Sequence, residues 1–279
     1  MSEQDEGPRG PVIVPIKNGP LKVTGLTRLC NSMGDSIATT PTYILCRCGA
    51  SKTKPLCDGT HVSIGFDDSP DQDRVPDRLD VYPGSHVTVS DNRGICSHAG
   101  FCTDNLPKVW RSGVEPWIDA NGESADEVVR VARMCPSGAL SYATNGDRQT
   151  VFHDAPEVQV SKDGPYWVRG GVDVEEVDYG DGASRDHCAL CRCGQSRNKP
   201  FCDGGHWYAG FKDDEALTIS ASNRAEESTE KKWIQVGTVD GLTRGEVHSV
   251  TVGEKVIALV GNEDGWRAVD GLCPIKAVR

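Results

Sequence analysis

Two stretches of the chain, CRCGASKTKPLCDGTH at 46–61 and CRCGQSRNKPFCDGGH at 191–206, share the pattern CxCxxSxxxPxCDGxH. Each offers three thiols and one imidazole: Cys46, Cys48, Cys57 and His61 in the first, Cys191, Cys193, Cys202 and His206 in the second. Such a donor set suits either a structural zinc ion or iron in a sulfide cluster. Two cysteines one residue apart can reach one metal from an extended loop, while a cysteine and a histidine four apart share one face of a helical turn. Zinc sites usually space their cysteine pairs two to four apart, so the CxC pair favours a cluster, and spacing alone leaves zinc open. Asp58 and Asp203 suit a helix N-cap, and Gly59 and Gly204 let the backbone come close to a bulky inorganic group. Backbone N–H groups at such a helix start would face the negative charge of a cluster.

Between these stretches lies a third set. Cys96, Ala99 and Cys102 occupy the positions of a CxxCxxC run with alanine in the middle, and a distant Cys135 is followed by Pro136. Three thiolates fit either a 3Fe-4S cluster or a 4Fe-4S cluster whose fourth iron takes another ligand. His98 is the nearest candidate for that ligand, and the alternative is a surface histidine that only hydrogen-bonds nearby. Buried inert thiols are the plain alternative for the whole set. Cys30, Cys188 and Cys273 pair with nothing by spacing, and a small buried residue is the expectation for Cys30 and Cys188.

The elements that carry these residues are repeated. Residues 19–68 and 164–213 align without a gap at a constant offset of 145, which places Gly65 and Phe66 on Gly210 and Phe211 as well as ligand on ligand. That is two copies of one small module. The expected organisation is an N-terminal tail (1–18), a first module (19–68), an acidic linker with a different middle module (69–149), a second copy (150–222), and a linker with a last segment (223–279). In the middle module Ser124 and Glu127 read as a capping box, with Val128, Val131, Ala132 and Cys135 on one helical face. HVTVS, HSVTV and VIALV alternate as strands do.

Composition narrows the classes. Of 279 residues only 37% are hydrophobic and twelve are cysteine, so small modules would bury little apolar surface and would lean on metal for stability. Iron removal is therefore expected to leave the chain largely disordered. A net charge of −11 argues against nucleic acid or an anionic membrane surface as partner. With no secretory pattern at the start and no long apolar run, the expectation is a cytoplasmic protein whose thiols stay reduced.

The repeated motif resembles the CDGSH iron-sulfur family. The serine of the family's name is Thr60 in one copy and Gly205 in the other, neither a ligand position. The resemblance implies one 2Fe-2S cluster per copy, with Cys46 and Cys48 (or Cys191 and Cys193) on the inner iron and Cys57 and His61 (or Cys202 and His206) on the outer one. It also implies small β-rich modules that pair, here as an intramolecular pseudo-dimer. Through DNRGICSHAGFC, PWID and CPSGAL, residues 80–145 resemble a divergent single-cluster ferredoxin domain, which implies α+β structure and a third cluster on Cys96, Cys102 and Cys135. The last segment, from WIQVG to DGLCP, resembles the first half of a Rieske ferredoxin but lacks the ligand histidines, so it reads as a degenerate β module without a cluster. The expected fold is thus α+β and multi-module. The expected function is electron transfer with redox partner proteins; cluster donation to apo-acceptor proteins, redox or pH sensing, and a zinc-stabilised interaction module are the alternatives. No nucleophile–base set, phosphate loop or dinucleotide fingerprint points to an enzyme.

Overall fold

A computed structural model describes residues 10–213 and the strands Val247–Val252, Lys255–Asn262 and Gly265–Asp270. In the first copy the chain forms Val12–Pro15 (β1), Leu21–Thr24 (β2), Leu29–Cys30 (β3), Thr42–Leu45 (β4) and the short helix Thr60–Ser63 (α1). The middle region forms Leu79–Pro83 (β5), Thr88–Asn92 (β6), Phe101–Asn105 (α2), Ala125–Ala132 (α3), Leu140–Ala143 (β7) and Arg148–Gln149 (β8). The second copy repeats the first with Glu157–Val160 (β9), Tyr166–Arg169 (β10), Asp173–Val174 (β11), Cys188–Leu190 (β12) and Gly205–Tyr208 (α4). The described chain is mostly β with few helices.

The offset of the sequence repeat is the offset of the structure: β1 lies 145 residues before β9, and α1 lies 145 before α4. The repeat therefore begins at Val12, inside the stretch that the sequence reading leaves as a tail. The copies are not separate modules. One four-stranded sheet has the order β11-β1-β2-β4 and the other β12-β10-β9-β3. Each copy lends its short third strand to the other's sheet, through parallel pairs Val12↔Asp173 and Ile13↔Val174, and Leu29↔Val158 and Cys30↔Gln159.

Alternation explains what lies beneath. In β2, Leu21 and Val23 are buried and Lys22 is exposed; in β10, Tyr166 and Val168 are buried, as the two-residue period of a strand requires. These side chains join Ile13, Leu29, Leu45, Val158, Val160, Leu190 and Phe201 in one core drawn from both copies. The expectation that each module buries too little to hold together without metal treated the copies singly. Pooling their apolar faces enlarges the buried surface, from which the β framework is expected to persist after iron removal; loss of its circular dichroism together with the iron would contradict this.

The middle region has its own core under the sheet β5-β6-β7-β8, built from Val89, Val109, Trp110, Ile118, Leu140 and the buried face of α3, Val128, Val131 and Ala132. Ser124 caps α3, its Oγ accepting from Glu127 N at 3.4 Å, but the returning half of the box comes from Glu123, whose Oε1 accepts from Ser124 N at 3.1 Å. Glu127 instead pairs with Arg130. The C-terminal unit is a separate antiparallel meander, Val247–Val252 (β13), Lys255–Asn262 (β14) and Gly265–Asp270 (β15), in the order β13-β14-β15. Cys273 lies outside the described residues. No helix among the described residues is long and apolar enough to cross a membrane.

Candidate metal centres

Each repeated motif is a loop pinned between strand and helix. Leaving β4, Cys46 donates its N–H to Pro55 O at 2.8 Å and Cys57 donates to Ile44 O at 3.1 Å. Ser51 Oγ donates to Leu56 O at 2.7 Å, as Ser196 does to Phe201 O at 2.6 Å, which accounts for the serine of the pattern. The loop folds its donors together. Cys46 Sγ and Cys48 Sγ stand 3.7 Å apart and Cys191 Sγ and Cys193 Sγ 3.9 Å apart. Cys57 Sγ lies 3.4 Å from His61 Nδ1, and Cys202 Sγ lies 3.4 Å from His206 Nδ1. Each motif thus holds two close pairs, thiol with thiol and thiol with imidazole.

The helix cap differs from expectation. The N-cap positions of α1 and α4 are Gly59 and Gly204 in left-handed conformation, and no side chain caps either helix. Asp58 closes the loop instead, accepting from Lys52 N at 2.8 Å and Thr60 N at 3.0 Å, and Asp203 does the same for Arg197 and Gly205. The cap N–H groups are left to point at sulfur: Gly59 N to Cys57 Sγ and Gly204 N to Cys202 Sγ, each at 3.4 Å.

The electrostatics suit a cation-rich centre. Within each close thiol pair a hydrogen bond from the neighbouring sulfur favours one thiolate, which draws Cys46 down to about 6 and Cys191 to about 7. The same bond, with burial, holds the second proton on Cys48 and Cys193. Burial pushes Cys57 up and Cys202 further up. Thiolates at all of these positions need positive charge among them, which bound iron would supply. Three sulfurs, an imidazole and N–H groups directed at sulfur fit an iron-sulfur cluster.

The third set lines a cavity of about 610 Å³ at the edge of the middle sheet, where Cys96, Cys102 and Cys135 meet with His98, Arg93 and Asp91. Burial raises Cys96 to about 12 and Cys102 to about 11, and the Cys135 sulfur adds to both. Cys135 comes off the C-terminal end of α3, as the helical pattern implies. Asp91 and Ser97 are buried there without hydrogen-bond partners, polar groups that a dry apolar pocket would not keep. Burial raises Asp91 to about 7. Three thiols around such a space fit an iron-sulfur cluster.

Residues 18–62 and 163–207 match the family described as iron-binding zinc finger CDGSH type, and residues 82–145 match that described as divergent 4Fe-4S mono-cluster. The chain belongs to the CDGSH iron-binding family. Two proteins named uncharacterized protein YjdI, from Escherichia coli K12 and O157:H7, are each 38% identical to it over 61 residues, 22% of this chain and 80% of theirs. No solved structure matches.

The two CDGSH loops touch. Cys48 and Cys193 form an antiparallel bridge, and a Cβ on Gly49 would come within 2.4 Å of Cys193 O, one on Gly194 within 2.5 Å of Cys48 O. Glycine is obligatory at that seam. Three supporting residues escaped the sequence reading. Tyr166 reaches from the second copy into the first motif, its OH donating to Cys46 O at 2.7 Å and Pro55 O at 3.0 Å. Arg47 and Arg192 each turn inward from between the CxC cysteines, and their identical place in both copies was the available signal. Cys30 and Cys188 are buried outside the centres.

His153, Asp186 and His187 form another cluster of metal-ligand types. Asp186 Oδ2 already serves Phe152 N at 2.9 Å, His153 N at 3.2 Å and His187 Nδ1 at 3.1 Å, so its role is to tie the loop. Burial holds His187 down to about 4, against an ordinary value near 6.5. As pH falls the unfolded chain binds this proton first. The stability linked to His187 is complete above about pH 6.5 and is lost towards pH 4, by about 3 kcal/mol. Between about pH 6.5 and pH 4 the urea midpoint of wild type should fall relative to that of His187→Gln; parallel curves would contradict the assignment.

Proposed function

We propose that this CDGSH protein is a multi-cluster electron carrier rather than a catalyst. Cys46, Cys48, Cys57 and His61 would hold one 2Fe-2S cluster and Cys191, Cys193, Cys202 and His206 a second. Cys96, Cys102 and Cys135 would hold a 3Fe-4S or 4Fe-4S cluster in a ferredoxin-like α+β module. The observation that carries the reading is contiguity. The first motif meets the second at the Cys48–Cys193 bridge, and the second meets the middle region where Gly204 packs on His98. The exchanged strands support an intramolecular pseudo-dimer of the two copies. Bound clusters supply one-electron chemistry; one histidine among three thiolates leaves a 2Fe-2S centre less negative than four thiolates would and raises its potential. The partner is a redox protein.

The half-buried Cys57 and His61 favour a second reading, donation of the first cluster to an apo-acceptor protein. Iron, inorganic sulfide and zinc analysis comes first. Cys57→Ala and Cys202→Ala should each remove the iron and sulfide of one cluster while leaving the middle EPR signal. Reversible reduction with full retention of sulfide supports a carrier, and transfer of colour to an apo-ferredoxin supports a donor. Zinc without sulfide would refute both.

A further inference from the structure

The two CDGSH motifs are alike in sequence and unlike in their surroundings. Gly59 in the first is exposed, and a Cβ built on it would meet nothing within 4 Å. Its counterpart Gly204 is buried, and a Cβ there would stand 3.0 Å from the Cβ and ring of His98. Cys57 and His61 are half-buried, whereas Cys202 is 2% and His206 5% exposed. The difference comes from the middle region, which packs on the second copy at points that have no equivalent in the first. Asn198 Nδ2 donates to Gly94 O at 2.8 Å, and Arg74 Nη1 donates to Asn198 Oδ1 at 2.6 Å; the first copy has exposed Thr53 at that position. Phe101 of α2 meets Trp167 edge-on at 5.7 Å, where the first copy has exposed Lys22.

His98, itself exposed, borders this contact at Gly204. Its backbone is left-handed, with φ 54, a conformation uncommon outside glycine though less so for histidine. That turn brings the side chain beside the Gly204 loop while the residue still lines the middle cavity with Cys96 and Cys102.

We infer that the middle region is a cover over the second CDGSH motif, with His98 as the positioning side chain that seats it, so that metal enters and leaves through the first motif. The inference rests on the iron-sulfur reading and deepens it. The first motif is the one open to outside proteins, and the second is an interior station between two neighbours.

The test uses full-length holoprotein, a water-soluble ferrous chelator and dithionite, with iron release followed by absorbance. Cys202→Ala leaves the first motif loaded and Cys57→Ala leaves the second. The first should lose its 2Fe-2S iron rapidly and the second at least about tenfold more slowly, the ratio expected if opening the cover breaks one buried hydrogen bond worth about 1.4 kcal/mol. On the Cys57→Ala background, Asn198→Ala, Arg74→Ala and His98→Ala should each speed release towards the rate of the first motif. Arg74 lies at the outer edge of the contact, so its variant decides the matter if Asn198→Ala does not fold. Equal release from the two motifs would overturn the inference. Protein containing zinc and no sulfide would instead sink the iron-sulfur reading itself.

Discussion

Cut after residue 149 and produced as two chains, the protein should yield no independently folded CDGSH module. The first fragment keeps β1, β2 and β4 but loses β11, the strand that covers the β1 edge. It also loses Val158, Val160, Tyr166, Val168, Val172, Val174, Leu190 and Phe201 from the shared core. At about 1.5–3 kcal/mol for each fully buried large apolar side chain, the missing partners outweigh the about 5–15 kcal/mol net stability of an ordinary domain. Circular dichroism and amide NMR of the 1–149 fragment should show order in the middle region alone, and mixing the fragments should restore the rest. Separate, cooperative melting of a CDGSH copy in either fragment would show that strand exchange is decoration on two self-sufficient modules.

Arg192→Ala is expected to have the largest effect of any single substitution outside the ligand sets. The guanidinium is wholly buried, with Nε donating to Gly164 O at 2.7 Å, Nη2 donating to Ser161 O at 2.8 Å, and Nη1 paired with buried Asp213. Truncation strands two carbonyls and a carboxylate whose Oδ1 already lacks a partner. Breaking a buried ion pair from one side costs about 3–5 kcal/mol, which in a unit of this size lowers Tm by about 10 °C. Arg47 makes the same contacts in the first copy, to Gly19 O, Ile16 O and Asp68. Lys17 also holds Asp68 there, so Arg47→Ala should cost less. Replacing both members of the second pair, Arg192→Met with Asp213→Leu, should recover much of the loss, because no charge is then left buried alone. If Arg192→Ala melts with the wild type, the arginine is a passenger and the loop is held by its backbone alone.

The metal centres were legible because their chemistry is written in residue type and spacing, twice, at one offset. Cys46, Cys48, Cys57 and His61 could be matched to their counterparts without knowing any contact. The exchange of β3 and β11 could not be read, for a physical reason: two copies with the same apolar alternation offer the same edge, and nothing in LC or DV states which copy's sheet it completes. β1 was missed because the repeat diverges there, VIVP against EVQV. Asp58 was misplaced as a cap because an aspartate before glycine serves equally to close a loop or start a helix, and only the left-handed Gly59 decides between them. The contact of the middle region with the second copy was invisible because Gly94 and Asn198 are 104 residues apart, and Asn198 fills a position that the motif's pattern leaves open.

The parallel pair Val12↔Asp173 also sets an order of events during synthesis. A ribosome adding about 5–20 residues per second needs roughly 8–30 s to travel from one partner to the other. Throughout that interval the nascent first copy presents bare strand edges of the kind that recruit other chains. What emerges meanwhile is the middle region, complete with its own core, so the insert gives the waiting half a folded neighbour before its true partner arrives.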